Sequence, residues 1–264
     1  MAYLYETHLH TSQTSRCAES TGAEHARYYK EIGFTGVMVT DHFFNGNTTV
    51  PRELPWTERI DRFCAGYEDA LCEGQKIGLD VFFGWEHNFD GDDYLVYGLD
   101  KAWLKAHPEM ENWTHREQIE HIRAAGGCVV QAHPFRTRAY IRNVTLGLDY
   151  CDAIEAANAG NDAFSDAFAL AYAKKHDLMI TAGSDNHHSY PGLDAQRQVF
   201  GVALETRLTS IGDYVRLIRE RQPVGLYVPK DRFDVKDCPQ IESFYWDEDK
   251  GLLPTGRPQL CDWA

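Results

Sequence analysis

Short apolar runs alternate along the chain with longer segments in which apolar residues recur every three or four positions. The short runs are rich in β-branched and aromatic residues, which favours β-strands, and the longer segments have the spacing of helices. Strands are predicted near residues 3–9, 36–40, 80–85, 94–98, 128–132, 152–156, 179–183, 200–204 and 224–228. This alternation is typical of a parallel α/β fold.

The first helix is predicted to open at Thr21, because Thr21 and Glu24 form a capping-box pattern and Gly33 supplies a stop before the next strand. Three more apolar stripes have helical spacing and should face the sheet. They are Ile60, Phe63, Cys64, Tyr67 and Leu71; Phe164, Phe168, Ala171 and Tyr172; and Ile211, Tyr214, Val215 and Ile218.

The length of 264 residues favours one domain, since a single α/β barrel needs about 250 residues. Hydrophobic residues make up 43% of the chain, which is enough for a substantial core. We assign residues 1–228 to the barrel. Residues 229–264, which are richer in Asp, Lys and Pro, are interpreted as a surface extension of the same domain.

The chain is acidic, with 26 basic and 40 acidic residues and a formal charge of −14. Such a charge repels nucleic acids and anionic membranes, so neither is expected as a partner. A phosphorylated small molecule would also be repelled unless bound divalent cations reversed the potential locally. The charge therefore favours a metal site if the substrate is anionic.

The first ten residues lack the basic and apolar regions of a secretion signal, and no segment has the length of a membrane span, so a cytoplasmic protein is expected. The seven cysteines are scattered, without CxxC spacing, and are expected to be free thiols that are mostly buried. They are Cys17, Cys64, Cys72, Cys128, Cys151, Cys238 and Cys261.

Histidine and acidic residues follow five of the predicted strands. His8 and His10 end the first strand two positions apart, which places both imidazoles on one face. The other four strands are followed by Asp41 and His42, by Glu86 and His87, by His133, and by Asp185, His187 and His188. In a parallel barrel these strand ends meet at one rim, where such enzymes have their active sites.

Imidazole and carboxylate ligands together suit zinc, iron or manganese, and a carboxylate can bridge two ions. A single histidine at a strand end is more often an ordinary polar residue than a ligand. We therefore expect no metal at His25, His107, His115, His121 and His176, which lack acidic partners in register, and expect His87 and His188 to point away from the site.

Five motifs in fixed order give the chain a resemblance to the PHP (polymerase and histidinol phosphatase) family. They read His8-Leu-His10, Thr40-Asp-His42, Gly84-Trp-Glu86, Ala132-His-Pro134 and Ser184-Asp-Asn-His187, and the resemblance spans about residues 3 to 190. It implies a distorted (β/α)7 TIM-like barrel with up to three metal ions.

The resemblance also implies a ligand set. A first ion would be held by His8, His10, Glu86 and Asp185, a second by Glu86 and His133, and a third by His42 and His187. The chain departs from the family pattern at two places. Asp93 would replace with a carboxylate a histidine ligand that the family often has before its fourth strand, which favours manganese or iron at the second site. Glu19 or Cys17 would supply the ligand that usually follows the first motif, or the third ion would be weak or absent.

We therefore expect metal-dependent hydrolysis of a small phosphate ester by water activated at two or three divalent ions, Mn, Fe or Zn. Asp185 and His187 are the expected catalytic residues, and Arg136 is expected to bind the phosphate, ahead of Arg16 and Arg138. Asp41 would orient His42 or a neighbouring ligand. Asn158, at another strand end, would contact substrate or cap a loop.

Other functions stay open. The same ligands could serve an amidohydrolase or a phosphodiesterase, or a non-catalytic metal-binding regulatory domain. A proofreading exonuclease is disfavoured by the acidic charge and the lack of a basic, aromatic strand. The sequence contains no P-loop, dinucleotide-binding, GxSxG or HExxH motif, and it does not specify an oligomeric state.

Overall fold

The computed structural model describes residues 2–139, 141–190, 198–235, 240–247 and 249–256. The strands in this part of the chain are β1 (Tyr3–Leu9), β2 (Gly36–Val39), β3 (Asp80–Phe89), β4 (Asp92–Tyr97), β5 (Cys128–Gln131), β6 (Val144–Leu146), β7 (Ala153–Asn158), β8 (Met179–Gly183), β9 (Gly201–Leu204), β10 (Gly225–Tyr227), β11 (Ser243–Asp247) and β12 (Gly251–Gly256).

The α-helices are α1 (Gly22–Glu31), α2 (Trp56–Phe63), α3 (Ala65–Ile77), α4 (Lys101–Ala106), α5 (His115–Ala124), α6 (Ala163–Lys175) and α7 (Ile211–Arg219), and a 3-10 helix covers Pro108–Asn112. The predicted start of α1 is confirmed. Thr21 is its N-cap and forms a capping box with Glu24.

Nine strands form one sheet in the order β10-β9-β1-β2-β3-β4-β5-β7-β8. The two sides of the sheet approach each other just after the end of β8. There, Leu9 and Asn186 form a parallel bridge, and the backbone N–H of His10 donates to the carbonyl of Asn186 at 2.9 Å. The result is a nearly closed barrel, and the predicted α/β barrel class is confirmed.

The prediction of a parallel sheet is wrong for two strands. β4 runs antiparallel to both β3 and β5, and β9 runs antiparallel to both β1 and β10. The β3–β4 connection is a tight hairpin, which can only join antiparallel strands. This reversal brings the start of β4, with Asp93, to the rim where β3 and β5 end.

Some predicted boundaries are also corrected. The stripe from Ile60 to Leu71 is split between α2 and α3 at Cys64. β3 extends to Phe89, so Glu86 lies inside the strand rather than after it. β6, β11 and β12 were not predicted.

The helices bury their apolar stripes against the sheet, as predicted. Phe168 and Tyr172 of α6 pack with Ile154 of β7, and Tyr214 and Ile218 of α7 belong to a second core cluster. Burial of a side chain of this size contributes about 2 kcal/mol. No helix in the described ranges is long and apolar enough to cross a membrane.

The segment beyond residue 228 contacts the barrel at several described positions. β11 pairs with β6 in parallel and with β12 in antiparallel orientation, and Arg232 donates to the buried Asp166 carboxylate at 2.7 Å. The division at residue 228 stays a prediction. Of the cysteines, Cys64, Cys128 and Cys151 are buried free thiols, Cys17 and Cys72 are exposed, and Cys238 and Cys261 lie outside the described residues.

Candidate metal centre

The rim of the barrel brings together seven of the residues predicted from the strand ends. Their ligand atoms form three overlapping groups, each with all atoms within 4.8 Å of one another. The groups are His8, His10 and Asp185; His8, Glu86 and His133; and His10, His42 and His187. The separate sequence motifs therefore contribute to one site.

His8 and His10 lie at the centre of this site. Their Nε2 atoms are 3.1 Å apart, and both side chains are fully buried. His8 Nε2 is 3.2 Å from Glu86 Oε1, and His10 Nε2 is 3.0 Å from Asp185 Oδ1. Two imidazole nitrogens held this close to two carboxylates create a strongly polar interior that a bound cation would stabilise.

Glu86 connects the groups. Its Oε2 is 2.5 Å from His42 Nδ1, and its Oε1 is 3.2 Å from both His8 Nε2 and His133 Nε2. Burial alone would raise the pKa of this carboxyl group, but the nearby imidazoles of His42 and His8 outweigh it and hold the pKa well below its usual value. Glu86 is therefore ionised and placed to bridge two ions.

Glu155 is a member of the site that the sequence analysis missed. Its Oε1 lies 3.0 Å from His8 Nδ1, and its Oε2 accepts hydrogen bonds from the His133 backbone N–H and the Asn158 side chain at 2.9 and 2.8 Å. A carboxylate that receives the Nδ1 proton leaves Nε2 of a neutral imidazole free to bind a metal. Glu155 thus fixes the ring of His8.

The close approach of β7, β8 and β1 explains how Glu155 reaches His8. A Cβ atom on Gly183 of β8 would lie 2.6 Å from both Glu155 Oε1 and His8 Cβ. Since real Cβ atoms do not approach other atoms so closely, only glycine fits at this position without displacing its neighbours. The glycine of the segment before Asp185 is therefore part of the site's architecture.

Asp41 acts on His10 through a loop. It accepts hydrogen bonds from the backbone and hydroxyl of Thr11 at 2.6 and 2.7 Å and from Ser15 Oγ at 2.7 Å. Ser15 Oγ is in turn 3.3 Å from His10 Nδ1 and accepts from the His42 backbone N–H at 3.1 Å. Asp41 lies outside the three ligand groups but supports two of their members.

Two candidate ligands have strained backbones. His133 and Asp185 have φ angles of 32° and 55°, in the left-handed region that residues other than glycine rarely adopt. Such strain persists where the surrounding structure requires it and is concentrated at functional sites. At both positions it directs the side chain into the cluster.

Arg136 is the predicted arginine that reaches the site. Its guanidinium group contacts Asp185 Oδ2 at 2.7 Å and donates to Asn161 Oδ1 and Asn158 Oδ1 at 2.8 and 2.9 Å. Asn158 therefore holds an arginine of the site. By contrast, Arg16 and Arg138 are exposed and bond to the backbone carbonyls of Thr48 and Gly160 at 2.6 Å.

The two departures from the family pattern have different outcomes. Cys17 hydrogen-bonds to His42 and His187, which places its thiol beside the third group, whereas the Glu19 side chain makes no such contact with that group's histidines in the described chain. Both residues are exposed, and neither belongs to any of the three groups. Asp93 Oδ2 is 3.7 Å from His133 Nε2, and Asn88 donates to Asp93 Oδ1 at 2.7 Å. Burial and the nearby Glu86 carboxylate together raise the pKa of Asp93 to about 6.

The remaining histidines belong to none of the three groups found among the described residues. One detail is corrected: His107 does have an acidic partner, because its Nδ1 is 2.8 Å from Glu109 Oε1 at the surface. His25 and His87 are buried, and burial lowers the pKa of each to about 3. Both imidazoles are therefore neutral.

The donor set fits divalent cations. It contains imidazole nitrogens and ionised carboxylates, which are ligands that zinc, iron and manganese accept. Carboxylates on the far side of the imidazoles, such as Glu155, are typical of metal-binding histidines. We conclude that His8, His10, His42, Glu86, His133, Asp185 and His187 could hold metal ions at this rim.

No family model and no curated protein sequence matches the chain. Solved structures do. One is a candidate metal-dependent phosphoesterase from Bifidobacterium adolescentis ATCC 15703, with a TM-score of 0.52 and 18% identity over 82% of this chain and 96% of the other. Another, from Chromobacterium violaceum, is named an amidohydrolase with bound sulfate and no metal; it has a TM-score of 0.50 and 17% identity over 81% of this chain and 96% of that one.

A third similar structure is a two-domain protein from Bacteroides vulgatus ATCC 8482 that contains a predicted PHP-like metal-dependent phosphoesterase. It has a TM-score of 0.62 and 12% identity, over 87% of this chain and 65% of the other. Identities this low show the fold alone. The structural similarities confirm that this chain has the PHP-type barrel fold that its five motifs predicted.

Proposed function

We propose that this chain is a metal-dependent hydrolase that releases phosphate from a small phosphate ester. The observation that supports this most directly is the set of three overlapping ligand groups with a largely buried arginine beside them. A guanidinium group among imidazoles and carboxylates can bind an anionic phosphoryl group that the acidic protein would otherwise repel.

The side chains have separate tasks in this proposal. His8, His10, His42, Glu86, His133, Asp185 and His187 would hold two or three divalent ions, Mn, Fe or Zn. Bound divalent ions lower the pKa of a coordinated water and neutralise phosphoryl oxygens. In this proposal Asp185 and His187 would act at the reacting groups, Arg136 would orient the phosphoryl oxygens, and Glu155 and Asp41 would fix the imidazoles of His8 and His10.

A second candidate is amide hydrolysis. The similar barrel from Chromobacterium violaceum is named an amidohydrolase, and the same kind of donor set activates water toward carbonyl carbon and toward phosphorus. That structure also holds sulfate, a tetrahedral anion of the shape of phosphate. Arg136 beside Asp185 favours the phosphate ester, because an amide group carries no negative charge for a guanidinium group to pair with.

The test compares the two reactions on one preparation. Protein loaded with Mn²⁺, with its metal content measured, is given a panel of phosphate monoesters and a panel of small amides. We expect inorganic phosphate from the first panel, loss of turnover with chelator, and recovery with Mn²⁺. Reaction in ¹⁸O-labelled water should place the label in the released phosphate, since water attacks phosphorus.

The proposal would be wrong if fully metal-loaded protein released no phosphate from any ester. Hydrolysis of amides alone would establish the second candidate. Metal binding that raises thermal stability without turnover of either panel would instead indicate a non-catalytic metal-binding domain.

A further inference from the structure

Arg232 connects the segment after residue 228 to a buried part of the barrel. Its Nε donates to Asp166 Oδ2 at 2.7 Å. Its Nη2 donates to the backbone carbonyls of Asn158 and Asn161 at 3.1 and 2.8 Å. The side chain is only 15% exposed. One guanidinium group therefore binds three acceptors at once, a geometry that suits the planar fork of arginine.

Asp166, the acidic partner of Arg232, is fully buried in the first turn of α6. Its Oδ2 accepts from the backbone N–H of Asn158 at 3.0 Å, and its Oδ1 accepts from Asn161 Nδ2 at 2.9 Å. Burial raises the pKa of this carboxyl group to about 6, and the charge of Arg232 opposes that rise. Arg232 therefore favours the ionised form, which accepts both hydrogen bonds.

The two asparagines connect Asp166 to Arg136. Asn161 donates through its amide nitrogen to Asp166 and accepts through Oδ1 from Arg136 Nε at 2.8 Å. Asn158 Oδ1 accepts from Arg136 Nη2 at 2.9 Å. Since a side-chain amide donates at nitrogen and accepts at oxygen, a carboxylate at the nitrogen of Asn161 leaves its oxygen to face the guanidinium group.

The backbone between the two asparagines also contacts Arg136. A Cβ atom on Gly160 would lie 2.9 Å from Arg136 Nη2 and 3.4 Å from Asp185 Oδ2. The 158–161 loop therefore lies directly against the ion pair of Arg136 and Asp185, which is 2.7 Å long. A shift of this loop would move the guanidinium group, and a displacement of about 1 Å in a positioning group can lower a rate by about a hundredfold.

We propose that Arg232 is a positioning residue, which holds the 158–161 loop in the arrangement that directs the guanidinium group of Arg136 into the metal centre. The hydrogen bonds of Arg232 in the described structure go to Asp166 and to the loop, and none goes to a candidate metal ligand. Its effect therefore reaches the site through Arg136. The inference rests on the proposed function, in which Arg136 binds the phosphoryl group.

Arg232→Met tests this role, because it removes the charge and keeps most of the apolar stem. Inorganic phosphate is titrated into Mn²⁺-loaded protein of measured metal content, and hydrogen exchange of residues 158–161 is followed by mass spectrometry. We expect phosphate affinity to fall about fivefold and the loop amides to exchange about tenfold faster, with metal content unchanged. Unchanged exchange, unchanged phosphate affinity or loss of metal would each overturn the proposal.

Arg207→Met is the matched control. Arg207 donates to both carboxylate oxygens of Asp80 at 2.9 and 2.7 Å, at the start of β3, whereas the rim lies toward the end of that strand. This variant removes an arginine–aspartate pair away from the metal centre, so phosphate affinity and loop exchange should match the wild type. Equal losses in Arg207→Met and Arg232→Met would reject a specific role for Arg232.

A double variant tests whether Arg232 acts through Asp166. Asp166→Asn should weaken phosphate binding about as much as Arg232→Met does, and the double variant should bind no more weakly than either single variant, because residues in one hydrogen-bond network are not additive. Fully additive losses would reject the connection through Asp166.

Arg232→Lys keeps the test decisive if Arg232→Met does not fold. The lysine retains a positive charge beside the buried Asp166 carboxylate, but a single ammonium cannot bind the three acceptors of the guanidinium group. The loop should exchange faster and phosphate affinity should fall about twofold or more. Wild-type values for both quantities would contradict the proposal.

Failure of this inference can be distinguished from failure of the proposed function. A wild type that binds inorganic phosphate but releases none from any ester would reject the hydrolysis, and the effects of Arg232→Met on phosphate affinity and loop exchange would still decide the positioning role. A wild type that releases phosphate, with a variant of full phosphate affinity, would reject the positioning role alone. Metal-loaded wild type that binds no phosphate would overturn both.

Discussion

Four histidines in two regions of the molecule have pKa values shifted in opposite directions: His8 and His42 at the metal centre, and His87 and His115 on the outer side of the β3–β4 hairpin. At the metal centre, burial would lower the pKa of His8 and His42, but the carboxylates of Glu155, Asp185 and Glu86 outweigh it for His8, and Glu86 does so for His42. Both pKa values are raised well above the usual value. His10 is the exception at the metal centre, because burial and the imidazoles of His42 and His187 hold its pKa well below the usual value.

On the outer side of the β3–β4 hairpin the result is reversed. His87 and His115 have no carboxylate among the groups that shift their pKa, and burial lowers the pKa of each to about 3. His87 is the direct neighbour of Glu86 in β3. The difference shows that, among shielded histidines, those of the candidate metal centre are distinguished from His87 and His115 by their carboxylate partners.

The largest test of the comparison replaces Asp185 with Asn. Asn tolerates the left-handed backbone at this position, so the fold should be retained while one carboxylate of the metal centre is lost. We expect phosphate release to fall on the order of a thousandfold, with lower metal content. Phosphate assays, metal analysis and thermal unfolding of the chelator-treated protein provide the measurements.

His87→Asn is the matched control for that variant. It changes a buried histidine next to Glu86 but on the other face of β3, so metal content and turnover should stay within a few-fold of the wild type. If His87→Asn lost metal and activity as severely as Asp185→Asn, the distinction between the two regions would be wrong.

Glu155→Gln sharpens the comparison at the carboxylate that orients His8. A glutamine keeps the size of the side chain but cannot stabilise the imidazole in the same way, so metal affinity should fall by about ten- to a hundredfold. Titration against a competing chelator measures this. Glu120→Gln, at an exposed position of α5, removes the same charge and should leave the affinity unchanged; an equal loss in both variants would point to net charge alone.

The residues of the metal centre were predictable because their signal is local. Each candidate ligand follows or ends a run of strand-forming residues, and the period of two correctly separates Glu86 from His87. Glu155 could not be found in this way. It lies within a fully buried strand, and its role depends on how β7 is positioned relative to His8, 147 positions earlier in the chain.

The direction of β4 is the second feature that the local pattern did not contain. A strand's sequence is similar whether its neighbours run parallel or antiparallel, so the alternating rhythm predicted a parallel order that the β3–β4 hairpin contradicts. The turn around Asp90 and Gly91, both with positive φ, was the available signal. The same reversal produces the outer face on which Phe89 and Asp92 lie.

His115→Phe tests the outer region through pH. The imidazole is neutral in the folded protein because its pKa is lowered to about 3, whereas the unfolded chain binds a proton below about 6.5. The neutral imidazole therefore does not lower the free energy of unfolding above pH 6.5. As the pH falls from 6.5 toward 3, the unfolded chain binds a proton that the folded protein does not, and the free energy of unfolding decreases. Between pH 7 and 5 the wild type should lose about 2 kcal/mol more unfolding free energy than the variant.

Urea unfolding of chelator-treated protein at the two pH values measures that difference, and the other titrating groups cancel between the proteins. Phe keeps a ring between Phe89 and Tyr150, so stability at pH 7 should change little. If the free energy of unfolding changed equally with pH in both proteins, His115 would be protonated in the folded state. The contrast between the histidines of the two regions would then be wrong for His115.

The smallest expected effect concerns Arg136, the arginine beside the metal centre. Arg136→Lys keeps the positive charge but loses the fork that contacts Asp185, Asn158 and Asn161 at once. We expect kcat/KM for a phosphate ester to fall about tenfold while metal content is unchanged, because a single ammonium cannot hold two phosphoryl oxygens in a fixed plane. Arg138→Lys, at an exposed position bonded to a backbone carbonyl, is the control and should leave kcat/KM within a few-fold. A loss of metal in Arg136→Lys, rather than of kcat/KM at full metal occupancy, would show that the guanidinium group supports Asp185 and does not bind the substrate.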